Sequence, residues 1–266
     1  MSDGPDTRGV LKIEDSARVR RLTLDRTNAL NAFNDDLYDA VRDALADAAG
    51  RPEIACVVIT GAGRAFSAGQ DLGEMGRARR SDDGERHGFP PFIEVVESFP
   101  KPLLAAVNGL AVGIGLTLLP HCDVVLVSDD ARLRAPFVSL GVTAEAGSTA
   151  LLPQRIGWQE TAHLFYTAGW IDAARAVEIG LALRVVAPEK LQDEIMAIAA
   201  EIAAMPVDSL VATKRLLLDA RLEGIRAARA REDTAFAELL RGPASREAIA
   251  AFREKRAPDF ANLPKS

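Results

Sequence analysis

From Leu103 to Pro120 the chain is almost wholly apolar, and this run constrains the fold more than any other feature. Its length approaches the ~18 residues that a membrane span needs. It also carries Asn108, Thr117 and three glycines, Gly109, Gly113 and Gly115. A buried strand, a glycine-rich turn and a buried helix start account for that mixture better than a span does. A second stretch has the same grammar. Ile54 to Thr60 is a short β-rich run ending at Gly61, and Gly63 to Asp71 reads as a turn into a helix. Leu103 to Val107 and Val124 to Val127 read as further buried strands. Repetition of strand, turn and helix argues for an α/β fold.

The flanks fit that reading. Leu11 to Asp15 and Arg18 to Asp25 alternate apolar and polar, which predicts an opening hairpin. Asn34 to Ala49 places Leu37, Ala40, Val41, Ala44 and Leu45 at a helical period. Glu74 to Pro91 is polar and reads as a loop. After about Pro188 the strand signals stop, and Leu191 to Ala204, Val207 to Leu222, Ile225 to Leu240 and Ala248 to Arg256 read as helices. The expected division is an α/β core over residues 1–190 and a helical region over 191–266.

Composition excludes some function classes. At 266 residues, 48% hydrophobic and 26% charged, wholesale disorder is ruled out. A net charge of −6 lacks the global field of a nucleic-acid binder. Met1 to Val10 is polar, without a basic start followed by an apolar stretch, so no signal peptide and a cytoplasmic location are expected. Cys56 and Cys122 both sit in apolar stretches and read as small core residues of a reducing compartment.

Two stretches hold the candidate chemistry. Gly61 to Leu72 runs from a buried strand into small residues and then toward Asp71. Ala105 to Thr117 repeats the pattern. Small residues let a backbone approach a ligand, and a helix start presents unpaired N–H groups. Each stretch reads either as an anion or oxyanion site or as a tight turn with an acidic first-turn residue. Two such sites facing one point would form a two-donor oxyanion hole. Gly113 and Gly115 lack the third glycine of a dinucleotide fold. Ser67 and Ser148 have no evident histidine and carboxylate partners, and His87, His121 and His163 read as structural or solvated.

The run Asp25-Arg26-Thr27-Asn28-Ala29-Leu30-Asn31, the segment Gly63-Arg64-Ala65-Phe66-Ser67-Ala68-Gly69-Gln70-Asp71-Leu72, and Lys101-Pro102 through Ala106-Val107-Asn108-Gly109 to Gly113-Ile114-Gly115 together resemble the crotonase superfamily, the enoyl-CoA hydratase/isomerase family. Cys122-Asp123, Ser128 to Arg132 and the tail Ala251 to Pro258 fit the same pattern. The resemblance implies a spiral of ββα turns and C-terminal helices that assemble trimers, often paired into hexamers. It implies a coenzyme A thioester as substrate, with no separate cofactor or metal and no nucleic-acid or membrane partner. The family's two oxyanion donors carry over to the main-chain N–H groups of Gln70 and Ile114. The usual second residue is glycine, so the Ile114 side chain is expected to narrow the pocket. Ala29, Leu30, Ala68, Asp71 and Leu72 match positions along the CoA path. Phe252 and Lys255 match tail positions that reach a CoA on an adjacent subunit.

Hydratases of the family hold water between two glutamates. The matching positions here are Thr117 and Phe137, and neither side chain activates water. Glu145, in Leu140-Gly141-Val142-Thr143-Ala144-Glu145-Ala146-Gly147-Ser148-Thr149, matches the single catalytic glutamate of the Δ3,Δ2-enoyl-CoA isomerase branch. Its plainer reading is an acid favouring a helix N-terminus. The leading expectation is therefore transfer of a 3-enoyl-CoA double bond to 2-enoyl-CoA by Glu145, with Gln70 and Ile114 as donors. The alternatives are a hydratase or another crotonase reaction such as thioester hydrolysis. Outside enzymes, the alternative is an RNA-binding or scaffold member using Arg77, Arg79 and Arg80 or the tail Arg253 to Arg256.

Overall fold

The computed structural model describes residue 5 and residues 7–73 and 86–263. The predicted hairpin forms from β1 (Leu11–Ser16) and β2 (Val19–Leu24), paired antiparallel with Leu11 opposite Leu24. Ala17 and Arg18 both take positive φ at its tip, the backbone twist that a two-residue hairpin needs. Helix α1 (Asp35–Gly50) starts where Asn34 accepts a hydrogen bond from the Leu37 N–H at 3.1 Å, with Asp35 and Asp36 in its first turn.

The buried runs then build one parallel sheet. Strands β3 (Cys56–Gly61), β5 (Leu103–Val107), β7 (Val124–Ser128) and β10 (Arg184–Val186) follow β2 in spatial order. A smaller sheet runs β4 (Ala65–Ser67), β6 (Leu110–Val112), β8 (Arg132–Arg134), β9 (Trp170–Asp172), with only β9 antiparallel. Each of β3, β5 and β7 is followed within a few residues by a strand of the smaller sheet. The chain therefore advances as a spiral of two strands per turn.

The larger sheet is buried on both faces, which is why its strands read as continuous apolar runs. Val57 and Ile59 face the main core with α1 and α2 (Phe89–Glu97). Cys56 and Val58 face Ile195 and Ala199 of a helix from the C-terminal region. Cys56 and Cys122 are free thiols, and burial pushes both up to about 12.

Between the sheets and that region lie α3 (Ile114–Thr117), α4 (Ser148–Ile156), α5 (Trp158–Thr167) and α6 (Ala173–Glu178). Four more helices complete the chain: α7 (Leu191–Ala203), α8 (Val207–Asp219), α9 (Leu222–Leu240) and α10 (Pro243–Glu254). Helix α7 supplies Ile195 and Ala199. In α8, Lys214 donates to both Asp123 oxygens at 2.6 and 2.7 Å. Asp123 in turn accepts from the Leu103 N–H at 2.8 Å, so α8 is tied to the start of β5. Helix α9 packs on α4, and Arg226 and Arg229 pair with the buried Glu97 of α2 at 3.1 and 3.0 Å.

The structure bears out the reading of the apolar run and differs from the sequence reading at two other places. The apolar run from Leu103 is β5, β6 and α3, and no single helix among the described residues is long and apolar enough to cross a membrane. The polar loop expected to reach Pro91 gives way to α2 at Phe89, because Pro90 and Pro91 fit a first helical turn, where a missing N–H costs little. Gly63 to Asp71 is not a turn into a helix: it forms β4, then an isolated bridge from Gln70 to Phe33 and a turn at Leu72 and Gly73. Pairing with β6 and Phe33 satisfies this backbone locally. Of the loop residues considered above, Glu74, Arg77, Arg79, Arg80 and Glu85 lie outside the described residues.

Asn31 joins two of these segments. Fully buried and in the left-handed region, it accepts from the Arg26 N–H at 2.9 Å and donates to the carbonyls of Ala62 (2.9 Å) and Ala65 (2.8 Å). Asn31→Ala removes all three bonds, leaving the Ala65 carbonyl only its bond from Asn108, and is expected to lower unfolding stability by about 2–4 kcal/mol, read by urea denaturation.

Candidate active site

Two backbone turns meet at the point where the small sheet leaves the large one. In the first, Gly69 takes φ +96° and its N–H donates to Ser67 Oγ at 3.1 Å. Its carbonyl accepts from Phe33, and the Asp71 N–H donates to the Phe33 carbonyl (2.7 and 2.8 Å). Gln70 lies between these two bonds, so its own N–H faces away from Phe33 and has no acceptor among the described residues. The Gln70 side chain accepts from the Tyr38 hydroxyl at 2.7 Å, which fixes the residue from α1.

In the second turn, Gly113 has φ +54° and opens α3. Its carbonyl takes the N–H groups of Leu116 and Thr117, both at 2.9 Å. The Ile114 N–H, in the first helical turn, has no acceptor among the described residues. A Cβ on Gly113 would lie 3.7 Å from the Gly69 Cα, and one on Gly69 only 2.9 Å from the Val112 carbonyl oxygen. Gly69 has no room for a Cβ and Gly113 holds a φ that side chains rarely adopt, and the approach brings together the segments that carry the unpaired Gln70 and Ile114 N–H groups. Such a pair can hold an oxyanion. The Ile114 side chain does not narrow an open pocket as expected. It is 1% exposed and packs in the main core, because the first turn of α3 points it inward.

Glu145 reaches the second turn through Thr117, one helical turn along α3 from Ile114. Thr117, fully buried at the end of α3, donates through Oγ1 to Glu145 Oε1 at 3.2 Å. The residue is partly buried, but its carboxyl sits among protein atoms, and burial pushes it up to about 8. The nearby carboxylates of Glu232 and Asp233 add to the rise, and the Thr117 hydroxyl opposes it. Ala146 and Gly147 both take positive φ, so the chain reverses at once into α4. The buried His121 donates from Nε2 to the Ala146 carbonyl at 2.8 Å. Its imidazole is pushed down to about 4 by burial and so stays neutral.

Glu232 escaped the sequence reading. It lies on α9 and is 4% exposed. It accepts from the Gly147 N–H at 2.6 Å, the Thr149 N–H at 2.8 Å and the Thr149 hydroxyl at 2.5 Å. The available signal was its register: Glu232 shares the buried face of α9 with Ile225 and Ala228.

The other sequence-predicted residues fall into two groups. Ala29, Leu30, Ala68, Asp71 and Leu72 are partly exposed and neighbour Gln70. The Ala68 N–H donates to the Leu30 carbonyl at 2.9 Å, and Asp71 pairs with Arg26 at 3.1 Å. Phe252, 64% exposed, and Lys255 lie at the exposed C-terminal end of α10; any part they play needs the subunit contact that the resemblance implies. Thr117 and Phe137 are both buried. Phe137, Val138, Thr143, Ala144, Thr149 and Phe165 line part of a cavity of about 300 Å³ that runs up to the Glu145 turn. Ser67 and Ser148 hydroxyls bond to main chain, and neither bonds to a histidine among the described residues.

A profile of the enoyl-CoA hydratase/isomerase family matches residues 14–263. The short-chain-enoyl-CoA hydratase of Clostridium acetobutylicum is 32% identical over 247 residues, 92% of this chain and 94% of that protein. The 1,2-epoxyphenylacetyl-CoA isomerase of Escherichia coli is 31% identical over 247 residues, 91% and 94% of the two chains. The crystal structure of an enoyl-CoA hydratase/isomerase from Pseudoalteromonas atlantica is similar at a TM-score of 0.90 and 36% identity, covering 95% of this chain and 100% of that one.

The raised carboxyl of Glu145 makes stability depend on pH. Folding lifts its pKa from 4.5 to about 8, so in that window the native state keeps a proton that the unfolded chain releases. Stability from this group is full below the unfolded value and falls as pH rises to the folded one. Glu145→Gln is expected to melt with the wild type near about pH 5 and several degrees above it near about pH 8.5, read by calorimetry.

Proposed function

The chain belongs to the enoyl-CoA hydratase/isomerase family, whose members act on acyl-CoA thioesters, and we propose that it moves the double bond of a 3-enoyl-CoA to position 2. The observation that carries this reading is a single acid, Glu145, bonded to Thr117 one turn along α3 from the Ile114 N–H, where the hydratase positions hold Thr117 and Phe137.

The steps follow from the geometry. The N–H groups of Gln70 and Ile114 donate to the thioester oxygen. Ionised Glu145 takes a proton from C2, and the electron pair moves into the carbonyl to give a dienolate. The charge develops against fixed dipoles that need no reorganisation; losing one such donor typically costs about 3 kcal/mol. The carboxylic acid of Glu145 then gives its proton to C4 while the electrons return, leaving the 2-enoyl thioester. The sequence is redox-neutral and regenerates the carboxylate, so a separate cofactor has no step to perform. Burial suits the group to both halves. A carboxyl near 8 binds a proton more tightly than an ordinary glutamate, and still ionises in part at neutral pH. In this reading the chain works as a trimer or hexamer, with Phe252 and Lys255 reaching the CoA of a neighbouring subunit.

Hydration is the second reading, favoured by the names of relatives such as the Clostridium acetobutylicum protein. It requires an acid and a base around a water. Thr117 donates its hydroxyl to Glu145, and Phe137 has no group that binds a proton. Thioester hydrolysis would meet the same lack of a second group.

Glu145→Gln is expected to cut conversion of 3-enoyl-CoA to 2-enoyl-CoA at least about 1,000-fold while CoA thioester binding survives. Stopped-flow turnover and calorimetric titration read the two, and retained turnover refutes the reading. Since the free enzyme needs ionised Glu145, kcat/KM is expected to rise with pH through about 8. With crotonyl-CoA the wild type is expected to leave the enoyl absorbance almost unchanged; rapid loss of absorbance would establish hydration instead.

A further inference from the structure

We propose that Glu232 is a positioning residue for the active site: its carboxylate, reaching from α9 to the first turn of α4, holds the turn that presents Glu145 to the reacting carbons. The inference rests on the Glu145 reading given above and adds the group that holds Glu145 in place.

The geometry is specific. Ala146 and Gly147 are consecutive left-handed residues, a conformation an alanine adopts only under constraint. Glu232 supplies the constraint from one side: Oε2 takes the Gly147 N–H, and Oε1 takes both the N–H and the hydroxyl of Thr149. His121 supplies it from the other side through the Ala146 carbonyl. The Glu145 carbonyl is held in turn by the N–H and hydroxyl of Ser148, which lies between the two residues that Glu232 grips. Three donors on one buried carboxylate make a far stiffer cap than the usual single side-chain oxygen at a helix start. The side chain touches no reacting atom in the proposed steps, so its effect on the reaction acts through Glu145.

The arrangement also has an electrical consequence. The groups facing Glu145 are the Thr117 hydroxyl from α3, the neutral His121 imidazole on the turn after α3, and Glu232 and Asp233 from α9. Asp233 is offset by Arg229 at 3.5 Å, and Arg229 also pairs with Glu97. The negative charge of Glu232 favours the protonated form of Glu145, so removing that charge lowers the pH at which Glu145 ionises.

The test compares three full-length variants: Glu145→Gln, Glu232→Gln and Thr149→Val. The readouts are kcat and KM for the double-bond shift, the melting temperature, and the Glu145 ionisation midpoint from isotope-edited infrared spectroscopy of the carboxyl stretch. Glu232→Gln keeps the shape but loses one acceptor and the charge. It is expected to fold, to lose at least about 10-fold in kcat with KM within about twofold, and to ionise Glu145 at lower pH. Thr149→Val removes one hydrogen bond and keeps the charge. It is expected to lose about two- to fivefold in kcat with the midpoint unchanged. A folded Glu232→Gln enzyme with wild-type kcat and midpoint overturns the proposal. If that variant does not fold, unchanged kcat in Thr149→Val overturns it. Turnover retained by Glu145→Gln removes Glu145 from the proposed mechanism, and the infrared midpoint, which needs no turnover, still decides whether Glu232 governs Glu145.

Discussion

Two stretches of main chain pass so close that Gly69 has no room for a side chain where they touch. Gly69 and Gly113 both lie in the left-handed region, and their α-carbons approach within van der Waals range of a single missing methyl group. The proposed site hangs from that approach. It needs β4 beside β6, which needs β3 beside β5, which needs a parallel sheet buried on both faces. It leaves the Gln70 and Ile114 N–H groups without an acceptor among the described residues. Such groups are costly to bury without a partner, and an anionic oxygen is the partner they suit best.

The C-terminal helices complete this construction from behind. Glu97 and Glu232 are buried carboxylates at the contact between α9 and the core. The first is neutralised by Arg226 and Arg229, and the second by three donors at the start of α4. Burying a charge is tolerable only when it is paired or hydrogen-bonded, so α9 has a narrow choice of positions on α4. The helix that packs on α4 thereby also fixes the turn that carries Glu145.

Much of this was legible in the sequence because it was written locally. Apolar runs ending at Gly61 and Val107 marked buried strands, and the period of Leu37, Ala40, Val41, Ala44 and Leu45 marked α1. Glu145 was visible as one carboxylate in a turn of small residues. What was not legible depended on distant partners. The three-residue strands β4, β6, β8 and β9 are too short for any period to register, and exist because each borrows its neighbour's backbone. The helix expected at Asp71 lost to a bridge with Phe33, nearly forty residues earlier in the chain. Glu232 lies 85 residues from Gly147, and a glutamate within an arginine-rich helix resembles any solvated face until its register with Ile225 and Ala228 is noticed.

The burial of both thiols has a practical corollary. Cys56 and Cys122 are kept protonated far above neutral pH, and alkylating and oxidising reagents attack the thiolate. The native chain is thus effectively silent toward maleimides. A lone cysteine engineered onto an exposed position such as Leu216 would carry a fluorophore or spin probe without first stripping the natural ones. The packing that conceals these sulfurs opens the rest of the surface to distance measurements in solution.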